Sequence, residues 1–92
     1  MAYKPTKRQL SNAQKMGVVI VPSSNRRKKL DVYRNGRKIS EIGAMGYADY
    51  DLYIKHYGLS YANERRRLYK LRHENDRHRK GTAGYYADKI LW

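Results

Sequence analysis

Leu30-Asp31-Val32-Tyr33-Arg34-Asn35-Gly36-Arg37-Lys38-Ile39-Ser40-Glu41-Ile42 is the stretch that decides how this chain folds. Asn-Gly between two alternating runs is the strongest short hairpin signal, because both residues accept the positive φ of a type I′ turn. That register sets Arg34 opposite Arg37 beside the turn and Val32 opposite Ile39. Two facing arginines repel mildly, a cost that solvent, salt or an anionic partner removes. Ile42 falls out of phase with Ile39, which predicts a bulge or the end of pairing there. Upstream, the β-branched run Val18-Val19-Ile20-Val21 before Pro22 reads as a short, well-covered strand and a candidate third member of the sheet.

Downstream, Gly43-Ala44-Met45-Gly46 breaks the sheet. Tyr47, Tyr50, Ile54 and Tyr57 then recur at spacings of three, four and three, one face of a helix, and read as core rather than as a base-stacking platform. Gly58 ends that helix, and Ser60 is placed to cap a second one from about Tyr61 to Asn75, joined through a tight corner. Gly81-Thr82-Ala83-Gly84 is another break, and Tyr85–Trp92 reads as a short amphipathic turn or two of helix. Residues 1–16 have bases, Pro5, Ser11 and Asn12 but no apolar period, so they read as a basic arm, disordered in isolation. The expected fold is a small α+β domain over residues 17–92, a β-hairpin with or without a third strand packed on two or three short helices.

Charge sets the class of partner. Twenty-one Lys and Arg face eight Asp and Glu, a net charge of +13 on 92 residues. Lys4, Lys7, Arg8, Lys15, Arg26, Arg27, Lys28 and Lys29 form an acid-free block, and a second basic block lies mostly between Arg65 and Lys80. A compact chain this positive attracts polyanions, which points to nucleic acid, DNA first, or to acidic protein surfaces. The absence of Cys excludes disulfides and Cys-type zinc sites. Ten Tyr and one Trp with no Phe suit half-buried positions with a wet hydroxyl, as in a component of an assembly. No run approaches the ~20 apolar residues that span a bilayer, so no membrane partner is expected, and the chain reads as soluble and unsecreted.

Winding Tyr61–Asn75 at about 100° per residue splits its bases. Arg65 and Arg72 fall within the apolar face of Tyr61, Leu68, Tyr69 and Leu71, where a charge must be paired. Asp49, Asp51 and Asp88 are the plausible partners, which makes Arg65 and Arg72 structural. Arg66, Arg67 and Lys70, with Arg77, Arg79 and Lys80 beyond, are left free to meet phosphates.

Catalytic and metal chemistry find little footing. His73 and His78 are five apart and do not share a helical face, so no metal is expected. Asp49 and Asp51 suit the start of a helix better than a nuclease site, and no cofactor fingerprint or hydrolytic triad is present. A small metal-dependent nuclease using Asp49, Asp51 or Glu64 is the weakest alternative.

Four signatures stand in one order: Val21-Pro22-Ser23 with Arg27-Lys28-Lys29-Leu30-Asp31-Val32-Tyr33, then Gly46-Tyr47-Ala48-Asp49-Tyr50, then Glu64–His73, then Thr82-Ala83-Gly84-Tyr85-Tyr86 through Ile90-Leu91-Trp92. In these the chain resembles a family of small basic proteins of unassigned function encoded by DNA viruses, both large viruses of protists and algae and aquatic viruses. The resemblance implies a viral source and a location in the virion and the infected cell's interior, and carries over no catalytic residue. Together with the charge it yields the expectation of a non-enzymatic minor virion component that holds nucleic acid or acidic capsid surfaces. The alternative is a free, sequence-tolerant DNA- or RNA-binding protein used in replication, packaging or regulation.

Overall fold

The computed structural model describes residues 3–92; residues 1–2 of the expected arm lie outside the described part. Strands β1 (Val19–Pro22), β2 (Lys28–Arg34) and β3 (Arg37–Ala44) form an antiparallel sheet in sequence order. Four short helices complete the α+β domain: α1 (Lys7–Lys15), α2 (Tyr50–Tyr57), α3 (Leu59–Arg72) and α4 (Ala83–Ile90). The core lies between the sheet and helices α1 and α4, with Val18, Ile20, Leu30, Val32 and Ile42 meeting Ala13, Tyr86, Ile90 and Leu91. Each of its large aliphatic side chains contributes about 1.5–3 kcal/mol through burial.

The hairpin turns at Asn35 (φ 53°) and Gly36 (φ 77°), and Arg34 pairs with Arg37. Beyond that pair Val32 does not face Ile39 as expected, and the expected break of phase takes the form of a bulge. Tyr33 pairs with Lys38 and Val32 with Ser40, so the extra residue is Ile39, and Ile42 pairs normally with Leu30. Bulging at Ile39 brings Ile42 back into phase with the buried face. The expected third strand is present, but only Val18 and Ile20 are covered, while Val19 and Val21 face solvent.

Residues 3–16 are the larger correction. Thr6 and Gln9 form a reciprocal capping box that starts α1, and Gln9 and Ala13 bury against the domain. Gln9 reaches the interior because its amide donates to the Tyr3 hydroxyl and accepts from the Thr6 backbone N–H, which satisfies a polar group in an apolar place. Helix α2 starts at its Asp49 cap, so Tyr47 lies outside it, 75% exposed, and Tyr57 is exposed as well; of the expected core tyrosines only Tyr50 is buried. Helix α3 begins at Leu59, directly after the Gly58 that ends α2, and Ser60 sits inside its first turn without capping it.

Candidate nucleic-acid interface

Four carboxylates, Asp31, Asp49, Asp51 and Asp88, are turned inward, and each takes a base with it. Asp49 caps α2 through the Leu52 N–H (3.1 Å), accepts from the Tyr3 hydroxyl (2.7 Å) and is met by the Lys29 ammonium at 2.9 Å. Burial and this bond to Asp49 push the Tyr3 phenol well above its usual value. Asp51 binds Thr6 and the Arg8 guanidinium, tying α1 to α2. Asp88, buried on α4, accepts from Lys70 at 2.8 Å; its other oxygen makes no hydrogen bond and faces Arg77 and Lys89, each at 3.6 Å. Burial opposes the Asp88 charge, but these cations outweigh it and hold the carboxyl below its usual value. Asp31 is likewise buried, and hydrogen bonds from Ser23 and Ser24, with the charge of Lys38, overcome the burial and depress it. Glu41, Glu64 and Glu74 pair with Lys38, Arg67 and Arg77 respectively. Among the described residues only Asp76 is in no ion pair.

This arrangement redistributes the expected phosphate contacts. Lys29 is buried against Asp49 and Arg8 is half-buried on Asp51. Lys70 points at Asp88 instead of outward, and Arg77 is wedged between Asp88 and Glu74. Arg67 is exposed but bound to Glu64. Arg66 lies with its guanidinium 3.5 Å above the Tyr50 ring, a cation–π contact that half-buries it. Lys4, Lys7, Lys15, Arg26, Arg27, Arg79 and Lys80 are exposed, and Lys28 is half-exposed; none is in an ion pair among the described residues.

The proposed structural arginines are corrected in the same way. Neither Arg65 nor Arg72 pairs with Asp49 or Asp88: Arg65 lies over the Tyr53 ring at 5.4 Å, and Arg72 is exposed. The division of the helix bases therefore does not follow the helical angle: Arg65 and Arg66 both lie half-buried over tyrosine rings, Lys70 is paired with Asp88, and Arg67 and Arg72 are exposed. Its premise was an α3 with a buried apolar stripe, whereas α3 buries only Ala62 and leaves Leu71 in solvent.

What charge and period did not single out is a run of aromatic rings along α2 and α3. Tyr57 and Tyr61 lie 4.7 Å apart across the Gly58 corner, 65% and 45% exposed. Tyr53 touches both, and it also meets Trp92, with ring centres 6.1 Å apart. Trp92 stacks on Tyr69 at 4.3 Å and 10°, and Tyr69 meets His73 at 4.3 Å. Burial, reinforced by the Asp88 charge, raises the Tyr69 phenol above its usual value, so it stays neutral. A sequence signal for the run exists: Tyr53, Tyr57, Tyr61, Arg65, Tyr69 and His73 are spaced by four throughout, and the period continues across Gly58. Continuity through a glycine corner is what hid it, because a helical period is ordinarily read within one helix.

The run ends at an open cleft of about 700 Å³ between β3 and the α3–α4 junction. Tyr69 and Trp92 line it together with Arg72, His73, Arg79 and Lys28. No group of three or more His, Asp or Glu able to hold a metal occurs among the described residues, and no described helix is long and apolar enough to cross a membrane. Comparison with protein-family models, curated proteins and solved structures returns no match.

Proposed function

We propose that this chain is a non-enzymatic protein that holds single-stranded nucleic acid with little sequence preference, as a minor component of a viral assembly. The observation that carries the binding reading is the open Tyr57–Tyr61 pair, continued by Tyr53, Trp92 and Tyr69, on a chain whose free side-chain charges among the described residues are cations except for Asp76. Aromatic rings in a positive surface suit unpaired bases, since every base has a π face, and each stacked base contributes about 1–3 kcal/mol. An acidic protein surface would use the cations and leave the rings idle, which is why nucleic acid is preferred here to a capsid partner. The assembly setting comes from the family resemblance alone.

The test is binding of a labelled mixed-sequence oligonucleotide, single-stranded and duplex, across a salt series with polyglutamate as competitor. The single strand should be preferred, with log K falling by about 0.7 per log salt for each phosphate neutralised. Tyr57→Ala and Tyr61→Ala should each weaken it about tenfold or more while leaving the melting temperature near wild type, because both rings are largely in water. Equal affinity for duplex, with both tyrosine variants silent, would reduce the interaction to charge alone. Equal competition by polyglutamate would point to an acidic protein partner.

A further inference from the structure

We infer that the cleft between β3 and the α3–α4 junction is a site for one nucleotide unit, with its base against the Tyr69–Trp92 stack and its phosphate among Arg72, Arg79 and Lys28. The class of ligand rests on the nucleic-acid reading above, but the site stands on its own geometry. Its floor is apolar, formed by Ile42, Ala87 and Leu91. Tyr69 and Trp92 form a stacked pair beside it, 10° apart, with the His73 ring tilted by 31° to Tyr69. A volume of about 700 Å³ is far more than a bare phosphate fills and lies in the range of small-ligand sites.

The charges sort the ligand further. Arg72, Arg79 and Lys28 line the cleft, and none is in an ion pair among the described residues. Two of the lining carboxylates are already held, Asp49 by Lys29 and Tyr3, and Glu41 by Lys38 and Asn25. Asp76 is the remaining one and is an acceptor for the amino group of a base. An apolar floor, a planar wall and three unpaired cations against one unpaired carboxylate together select an anion with a flat apolar part. A nucleotide has both, whereas inorganic phosphate lacks the ring and a nucleoside lacks the charge. Because the Tyr57–Tyr61 run leads to Trp92, a strand lying on the run places its terminal or flipped-out unit in the cleft.

Trp92 is the one tryptophan of the chain and lines the cleft, so its fluorescence reports occupancy directly. Titration of the full chain with adenosine 5′-monophosphate should quench it saturably, with adenosine and inorganic phosphate each about tenfold weaker or more. Arg72→Ala and Arg79→Ala should each raise the Kd for the nucleotide about tenfold, since each removes a charge-assisted contact, with the thermal melt unchanged because both side chains are exposed. Tyr57→Ala should leave the nucleotide titration alone and weaken the oligonucleotide. If the nucleotide gives no saturable quench while the oligonucleotide binds, the cleft inference falls and the binding function stands. If the nucleotide saturates the cleft and the oligonucleotide does not bind, the function falls and the site stands. Equal quenching by inorganic phosphate would overturn the role of the ring wall.

Discussion

Replacing Lys29 by methionine keeps an unbranched stem beside Gly43 and removes one buried charge. Asp49, 1% exposed, then loses the ammonium at 2.9 Å and retains two neutral donors, the Tyr3 hydroxyl and the Leu52 N–H. At an effective dielectric constant of about 20, a unit pair at 2.9 Å attracts by about 6 kcal/mol. Much of that is offset, because the variant no longer desolvates an ammonium, and breaking a buried pair costs about 3–5 kcal/mol net. The two remaining donors on Asp49 set the expectation at the lower end, about 3 kcal/mol. A domain of this size is stable by about 5–15 kcal/mol and moves about 4–8 °C per kcal/mol, so the melting temperature should fall by about 12–24 °C. Thermal melts by circular dichroism read this directly. Lys28→Met is the control on the neighbouring residue, which is in no ion pair among the described residues, and should cost about 0.5 kcal/mol or less. Adding Asp49→Asn to Lys29→Met should recover part of the loss, since the amide keeps the α2 cap and carries no charge. A Lys29→Met protein that melts with wild type but loses nucleic-acid affinity would refute the reasoning and return Lys29 to the phosphate contacts.

Lys70→Ala should cost about 1–2 kcal/mol, less than the Lys29 change because Lys70 is partly exposed and Arg77 and Lys89 stay near Asp88; urea midpoints measure it. The folded Asp88 carboxyl lies below the ordinary 3.8, so its contribution is present above that pH and disappears as the pH falls through the lower folded value; in Lys70→Ala the acid-side loss should be smaller, because the folded value moves back towards 3.8. Gly43→Ala should destabilise by about 2–3 kcal/mol, since φ is +77° and the new Cβ would sit 2.9 Å from Leu91 Cδ1, whereas Gly36→Ala meets open space and should cost about 1 kcal/mol by equilibrium unfolding. Arg66→Ala should lower stability by about 1 kcal/mol through its lost contact with Tyr50, while Arg72→Ala should leave the melt unchanged; equal effects would erase the distinction drawn between them.

The local parts of the fold were legible because local chemistry sets them. Asn35-Gly36 fixes a turn whatever surrounds it, and Gly58 ends a helix within its own few residues. The break in phase between Ile39 and Ile42 was legible as a bulge or an end of pairing; that it is a bulge, and that Ile39 is the extra residue, is decided by which residue of β3 must face the core under α4. Helix α1 was hidden by the apolar criterion: its buried residues are Gln9 and Ala13, one polar and one small, although the Thr6–Gln9 box was readable at its start. The site divides along the same line. The identity of the cations follows from composition, but which of them are free follows from partners 18 to 43 residues away, as for Lys70 with Asp88 and Arg8 with Asp51. Arg65 and Arg72 were assigned to acids by helical angle, but Asp49 and Asp51 are held by Lys29 and Arg8 from other elements, and Asp88 by Lys70 of the same helix.

The charge balance has a consequence for stoichiometry. Inward or outward, all eight acids are already counted against the twenty-one bases, so the surplus of thirteen positive charges is insensitive to side-chain rearrangement on the surface. A polyanion coated with this protein reaches electroneutrality at about thirteen phosphates per copy, counting one charge per phosphate. Below that loading the complex remains anionic and repels its own kind; above it the sign inverts and further copies are turned away. Under the proposed function, the net charge of the chain thus sets a limit on coating density.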